Sequence, residues 1–463
     1  MQNIIEFDEE LIRRYDLSGP RYTSYPTAVS FSDAFGEKEY LNTAQHSNED
    51  PIPVPLSLYF HIPFCKAICF YCGCNKIATK NYAMATDYLS LLYREIAMQA
   101  SIYDHDRVVE QLHWGGGTPT FLNTADMQQL MAETRKHFNL LDDDSGDYSI
   151  EIDPRSVSPE KISLLRELGF NRFSLGVQDI NEAVQIAVNR VQPIEETVAI
   201  VDACRKVGAR SINLDLIYGL PFQSMKSFSR TLDVVIELLP DRLSVFNYAH
   251  LPEIFKPQRR INEADLPSSD VKLEILNMVI NKLTEAGYVY IGMDHFARPD
   301  DELVIAQNEG TLHRNFQGYS THGDCDIVAM GVSSISKVGN VYSQNVKDLE
   351  SYTRLIIAGH FPVMKGIQLN RDDEIRRELI QWLTCEFMLD IPEFELLTEV
   401  VFQDYFADEL LALQGMVDDG LVTVSADKIQ ILPRGRLLVR NICMIFDVSL
   451  QRGGKKGRFS KVI

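Results

Sequence analysis

Positive charge is in short supply in this sequence: 45 Lys and Arg stand against 65 Asp and Glu, a formal net charge of −20. A polyanion is repelled by such a field unless a local basic patch overrides it, so nucleic acid is not an expected partner. Any anionic substrate needs a dedicated basic pocket. No uninterrupted apolar run approaches membrane-spanning length. Residues 1–14 carry Glu6, Asp8, Glu9 and Glu10 where a secretory leader would carry a basic flank and an apolar core. The expectation is a cytoplasmic protein that does not engage a membrane. Cysteine is scarce as well, since eight in 463 residues are too few for a secreted disulfide scaffold. Low-complexity tracts and the G-x-G-x-x-G dinucleotide fingerprint are both missing.

What is present is alternation. From residue 56 a short β-branched or aromatic run is followed repeatedly by a polar or glycine-containing loop and a stretch of helical period, the pattern of βα units. Six strands are expected, at 56–63, 109–117, 148–154, 172–178, 211–221 and 242–252. Helices are expected near 82–100, 124–138, 159–168, 195–207, 224–238 and 270–286. Such alternation builds a parallel sheet, and six right-handed crossovers curl it into a partial or full (β/α) barrel. In this α/β class, chemistry gathers at the carboxyl ends of the strands. The unusual residues fall there: Cys65, Cys69, Cys72 and Cys74 after the first strand, and Gly115, Gly116, Gly117 and Thr118 after the second. Glu151 and Asp153 end the third, and Gln178 and Asp179 the fourth. Asp215 and Tyr218 lie toward the end of the fifth, and Asn247, Tyr248, Ala249 and His250 toward that of the sixth.

Three domains are expected. Residues 1–55 form an N-terminal extension whose turn-rich centre carries Arg21, Tyr22 and Tyr25, suited to a lid, a substrate contact or a surface brace. Residues 56–367 form the barrel and its flanking elements. Residues 368–463, with amphipathic helices at 374–389 and 405–418 and a hairpin at 421–431, form a mostly helical, winged-helix-like domain.

Cys65-x3-Cys69-x2-Cys72 is the strongest signal, because cysteines clustered in a reducing compartment point to metal. A cubane cluster normally takes four thiolates. A loop offering three can leave one iron without a protein ligand, and an open coordination position is what a substrate or cofactor needs. Adding Cys74 gives a competing scheme, four thiols around a structural zinc, although zinc sites usually join two pairs across an intervening segment. Cys204, Cys325, Cys385 and Cys443 stand alone and read as small buried hydrophobes.

Three consecutive glycines at 115–117 let the backbone approach a ligand where a Cβ would obstruct it, with a tight turn as the plain alternative. Facing a cysteine loop across a barrel mouth, they suit the amino acid part of a cofactor. Tyr59, Glu151, Gln178, Arg190 and Asp215 can each be read as strand-end caps or surface ion pairs. Converging, the acidic and amide groups suit ribose hydroxyls and an adenine, and Arg190 suits a carboxylate held in bidentate geometry. His61, His113, His313 and His322 stand at no metal-ligand spacing and read as packed side chains.

The cysteine loop and the Gly-Gly-Gly-Thr-Pro run resemble the radical S-adenosylmethionine (SAM) superfamily, and within it the oxygen-independent coproporphyrinogen III oxidase family. The narrower likeness rests on Pro20-Arg21-Tyr22-Thr23-Ser24-Tyr25-Pro26-Thr27, His61-Ile62-Pro63-Phe64-Cys65, Cys72-Gly73-Cys74-Asn75-Lys76, Phe246-Asn247-Tyr248-Ala249-His250-Leu251-Pro252, Gly292-Met293-Asp294-His295-Phe296-Ala297 and His313-Arg314-Asn315-Phe316-Gln317-Gly318-Tyr319. The resemblance implies a [4Fe-4S] cluster on Cys65, Cys69 and Cys72, with SAM on its fourth iron and Cys74 a neighbour. Tyr59, Gly116, Glu151 and Ile335 would contact that SAM. A second SAM would be contacted by Tyr71, Gly117, Thr118, Gln178, Arg190, Asp215 and Ala249, with Tyr71 standing where the family often has Phe. The implied activity is oxidative decarboxylation of two propionates of coproporphyrinogen III to the vinyl groups of protoporphyrinogen IX in haem biosynthesis, without O2. An electron donor such as flavodoxin or ferredoxin, and an unidentified electron acceptor, go with it. Arg21 is the candidate for a substrate carboxylate, and a monomer is expected. Two rival readings stand beside this one. A haem-binding chaperone would share the barrel and cysteine loop, but its relatives usually lack the Cys-Gly-Cys-Asn-Lys and Arg-Tyr-Thr-Ser-Tyr-Pro segments. A zinc-stabilised interaction protein would be of another class altogether.

Overall fold

The computed structural model describes residues 4–451. The chain forms two compact units, one of residues 31–267 and 324–368, the other of 268–323 with the described residues before 31 and from 369 onward. This division differs from one drawn along the sequence. The extension splits at residue 30, and residues 268–323 group with the C-terminal segment.

In the larger unit, β1 (Leu56–Ile62), β2 (Val108–Gly116), β3 (Asp147–Ile152), β4 (Arg172–Gln178), β5 (Ser211–Tyr218) and β6 (Arg242–Asn247) pair in parallel in chain order. The crossovers run through α1 (Ala83–Ala100), α2 (Thr124–His137), α3 (Pro159–Glu167), α4 (Glu182–Ala187), α5 (Ile194–Lys206) and α6 (Met225–Glu237). β7 (Asp326–Met330) joins the other side of β1 in parallel. β8 (Ile335–Val338), β9 (Val341–Asn345) and β10 (Val363–Gln368) extend the sheet as an antiparallel meander. Within this unit β6 and β10 are the two ends of an open path, so the fold is a partial parallel barrel with an antiparallel margin.

Local rules account for the parallel part. β3 alternates strictly between buried and half-buried positions, and β5 does so from Ile212 onward, as strands with one packed face do. Helix starts are capped: Asn123 Oδ1 accepts from Asp126 N at 2.8 Å before α2, and Ser224 Oγ from Ser227 N at 3.2 Å before α6. The expected fifth and sixth strands overran because the chain leaves the sheet at Gly219, whose φ is +87°, and after Asn247. The meander was not anticipated. β9 is buried along its whole length, including Ser343, Gln344 and Asn345, so it shows no polar alternation to read. Residues 31–55 brace this unit through the helix Glu37–His46, where Tyr40 donates to Gln99 Oε1 at 2.7 Å.

In the smaller unit the helix Ser269–Glu285 precedes a hairpin of Val289–Gly292 with His295–Ala297. Ile291, Ala297, Leu303, Leu312, Tyr319 and Cys385 form its core. The expected helix 374–389 is Arg371–Glu386, because Phe387 turns to φ +58° and starts the strand Met388–Asp390. That strand pairs with Lys428–Ile431, making the expected hairpin a three-stranded sheet. Among the described residues no helix is long and apolar enough to cross a membrane.

α1 carries a fully buried carboxylate. Glu95 accepts from Gly331 N and Asn345 Nδ2, each at 2.8 Å, and from Tyr352 Oη. Beside it Tyr88 donates to His61 O at 2.7 Å and accepts from Val332 N, so one helix fastens the end of β1 to the turn before β8. Burial pushes Glu95 up to about 7 despite its three donors. The folded state therefore holds the proton more tightly than the unfolded chain, and Glu95's contribution makes stability fall as pH rises from about 4.5 to about 7. Glu95→Ala, which strands three buried donors, is expected to cost about 2–4 kcal/mol in anaerobic denaturant unfolding. Glu95→Gln should flatten the pH dependence over that window.

Candidate active site

The ends of β1 and β2 run in register, with His61 opposite Gly115 and Ile62 opposite Gly116. Two loops therefore leave the sheet side by side, one bearing the cysteines and the other the glycines. Gly117 N donates to Ile62 O at 2.8 Å, and a Cβ on Gly117 would lie 2.6 Å from Pro63 O and 2.7 Å from its carbonyl carbon. Gly116, at φ +115°, leaves room for the His61 ring, which a Cβ would meet at 2.8 Å. The glycines thus serve close approach between two strand ends, and the ligand would lie beyond them.

The cysteine loop is pinned at both ends. Ile77 N donates to Pro63 O and Thr79 N to Cys65 O, while Phe70 and Tyr71 pack on Val184, Val188, Leu220, Tyr248 and Ile261. Phe70 N donates to Val188 O at 2.9 Å. Between these anchors Cys65 Sγ lies 3.5 Å from Thr118 Oγ1, and Cys69 Sγ lies 3.6 Å from Arg190 Nη1 and 3.7 Å from Arg155 Nη2. Lys76 Nζ donates to Cys72 O at 2.8 Å. The environments differ. Burial pushes the Cys65 thiol up to about 11, whereas the Cys74 thiol and then the Lys76 ammonium draw Cys72 downward despite burial.

All eight cysteines are free of disulfides. Thiolates on one tetrahedral zinc lie about 3.8 Å apart at the usual bond length. Among the described residues no set of three cysteines brings its sulfurs within 4.8 Å of one another. A single tetrahedral zinc would need three of its thiolates closer together than that.

The barrel's inner face presents the remaining groups. Tyr59 stacks on His113 at 5.6 Å and donates to His61 Nδ1, while His61 Nε2 donates to Asn75 O at 2.9 Å. Glu151 Oε2 accepts from Gly116 N at 3.1 Å, and Oε1 lies 3.4 Å from His113 Nε2. The Glu151 side chain keeps 45% of its surface open at the bottom of the cleft. Burial would raise its carboxyl, but His113, the Gly116 amide and His61 outweigh it and hold the group below the ordinary glutamate value. Asp215 accepts from Asn213 Nδ2 at 2.8 Å and Ser174 Oγ at 3.2 Å, and burial pushes it up to about 6. Gln178, at φ +67° after a bulge in β4, lies over Gly176, where a Cβ would meet both its amide nitrogen and Arg190 Nη2. Arg190 donates to Gly176 O at 2.6 Å and to Asp153 at 3.2 Å, and its buried Nε–H has no partner.

Tyr59, Gly116, Gly117, Thr118, Glu151, Gln178, Arg190 and Asp215 therefore meet around the cysteine loop. Tyr71 and Ala249 are joined by a residue the sequence did not single out, Gln258, whose Nε2 donates to both carbonyls. It sits in a short 3-10 turn outside any motif, and nothing in its spacing marks it. Ile335 opens β8 and pairs with Gln344. Asp179 is structural: it takes hydrogen bonds from Gln223, Thr231 and Asn181 and is 2% exposed. Arg21 belongs to the smaller unit, its Nη1 2.7 Å from Asp294.

A partial parallel barrel with three cysteines after its first strand and glycines after its second defines a radical SAM protein, and residues 59–235 match the Radical SAM superfamily model. Residues 369–438 match the HemN C-terminal domain. The chain belongs to the oxygen-independent coproporphyrinogen III oxidase family. It is 54% identical to the oxygen-independent coproporphyrinogen III oxidase of Pseudomonas aeruginosa over all of both chains. It is 51% identical to that of Escherichia coli over 99% of each. The solved coproporphyrinogen III oxidase (HemN) from Escherichia coli, described as a radical SAM enzyme, superposes with a TM-score of 0.91 at 50% identity, covering 96% of this chain and 99% of that one.

Gly117→Ala should push the β1 and β2 ends apart, because the obstructing atoms belong to the Pro63 backbone. Iron and sulfide bound after anaerobic reconstitution are expected to fall several-fold. Gly415→Ala, whose Cβ would have nothing within 4 Å, should leave metal content unchanged.

Proposed function

We propose that this chain is a radical SAM oxidoreductase that converts two propionates of coproporphyrinogen III to the vinyl groups of protoporphyrinogen IX in haem biosynthesis, without O2. The observation that carries the reading is a loop bearing three cysteines beside a partly exposed carboxylate and a glycine turn at a barrel mouth. A [4Fe-4S] cluster with SAM on its open iron supplies, when bound, one electron that splits the sulfonium and yields a radical able to take hydrogen from a propionate β-carbon.

The chain's own residues hold and orient. Cys65, Cys69 and Cys72 are the ligands, with Cys74 a neighbour of Cys72 outside the set. Tyr59, Gly116, Glu151 and Ile335 take the first SAM, and Glu151 offers its carboxylate to ribose hydroxyls. Tyr71, Gly117, Thr118, Gln178, Arg190, Asp215 and Ala249 take the second. The unpartnered Arg190 Nε–H supports an acceptor there, since a buried donor left unpaired is costly. Asp215 can meet hydroxyl donors, which would draw it back toward the carboxylate form. An electron donor such as flavodoxin or ferredoxin, a cytoplasmic setting and a monomeric state belong to the same reading, as does a carrier of the released electrons.

Arg21 is assigned to a substrate carboxylate. Arg440 donates to the Pro20 and Gly19 carbonyls, which fixes the Arg21 segment. Burial and then Arg21, with Arg314 contributing, push Arg440 down to about 10, while Arg21 pairs with Asp294 at 2.7 Å. A neighbourhood rich in arginine suits an anionic substituent.

An anaerobic assay with reductant, SAM and coproporphyrinogen III should yield 5′-deoxyadenosine and vinyl porphyrin products together. Deoxyadenosine without a vinyl product would remove the substrate and keep the superfamily. Arg21→Ala should raise the substrate KM about tenfold or more while sparing SAM cleavage; an unchanged KM would overturn its assignment.

A further inference from the structure

Outside the cleft, the cysteine loop has a second face. Lys66 and Ala67 are exposed, and Ala67, Ile68 and Phe70 line a groove of about 470 Å³ together with Asn189, Lys256, Pro257 and Arg260. Three segments of the larger unit build it: 66–70, 186–191 and 252–260. Asn189 Nδ2 donates to Ile68 O at 2.7 Å, and the Arg260 guanidinium lies 5.3 Å from the Phe70 ring centre, so the segments are bonded into one surface.

The charge on this face reverses that of the chain. The three segments carry Lys66, Lys256, Arg259 and Arg260 exposed, with Glu253 their one carboxylate, on a molecule of net charge −20. None of the four cations forms an ion pair among the described residues. Exposed aliphatics accompany them, Ile186 at 60%, Val191 at 54% and Ile254 at 54%. Apolar side chains ringed by unpaired cations are the composition of a protein-binding surface, and unpaired cations on an acidic molecule select an acidic partner.

From this surface we infer a docking site for an acidic one-electron carrier protein. This site presupposes the proposed activity, which requires an electron from outside, and follows from distance. Ile68 and Phe70, which line the groove, flank Cys69, so groove-lining residues lie one Cα step of about 3.8 Å from one of the three cysteines, and the exposed Lys66 follows Cys65 directly. In the docked pair the carrier is oxidised by one electron and the group held by the three cysteines takes it up, with no bond formed between the proteins. An encounter of this kind is steered by charge and weakened by salt.

The test uses the double variant Lys256→Glu/Arg259→Glu, neither residue having a part in the cleft. Binding of oxidised flavodoxin, as the acidic probe, is measured by calorimetry on cluster-loaded and cluster-free protein, with cytochrome c as the basic control. For the wild type, binding should weaken at least tenfold between 50 and 500 mM salt, and cytochrome c should bind far more weakly than flavodoxin. The variant should bind flavodoxin at least tenfold more weakly and show a raised KM for flavodoxin in SAM cleavage, with dithionite-driven cleavage unchanged. Equal affinity of wild type and variant, or equal binding of the two probes, would overturn the proposal. If dithionite-driven cleavage failed in the wild type, the functional reading would fall while the binding data still decided the surface.

Discussion

The pairing of β1 with β2 to their last residues is the constraint on which the site depends. Parallel neighbours lie about 4.8 Å apart, so two loops leaving at one level must share space that side chains would otherwise fill. The chain resolves this with glycine: Gly117 lies against the Pro63 backbone, and Gly116 makes room for the His61 ring. The consequence reaches the chemistry, because Pro63 is two residues before Cys65 and its carbonyl also receives Ile77 N, which closes the loop. A displaced Pro63 would move both ends of the segment that carries all three cysteines. On its far side the loop depends on an apolar cluster, into which Phe70 and Tyr71 pack between Cys69 and Cys72. Helix α1 adds a third restraint through Tyr88, which bonds the carbonyl of His61.

Those features were legible in the sequence to the extent that they are local. β-branched or aromatic runs followed by polar or glycine-containing loops and stretches of helical period marked the βα units, and the strand-end rule put Cys65, Glu151, Gln178 and Asp215 at one mouth. The limits are equally physical. The middle strand of the meander, β9, is buried along its whole length, with Ser343, Gln344 and Asn345 inside and partners such as Glu95 for Asn345 and the Ser333 carbonyl for Gln344. Period-two patterning vanishes in that strand. Gln258 joins Tyr71 to Ala249 from a turn 187 residues from one and 9 from the other, a relation no spacing rule encodes. The Gly-Gly-Gly run was read for the freedom it gives a ligand, and in the structure that freedom is taken first by His61 and Pro63. Domain boundaries drawn along the chain could not anticipate residues 268–323 grouping with a segment that begins at 369.

The distribution of charge argues for what the cysteines hold. An acidic chain would be expected to keep cations at its surface, yet two guanidinium groups sit beside Cys69 Sγ, and the Lys76 ammonium is hydrogen-bonded within the loop. Arg190 is 6% exposed and Arg155 is held by Asp153, so neither is placed there for solubility. Buried cations are costly without compensation, and Asp153 alone serves both arginines. Three ligating thiolates and their bridging sulfides would complete the balance, because a metal centre ionises its thiols outright, even one that burial holds protonated as it does Cys65. A neutral, disulfide-free trio of thiols would leave that positive charge stranded. With the proposed cluster bound, these cations would balance an anionic metal centre, and the same positive field would favour an incoming electron.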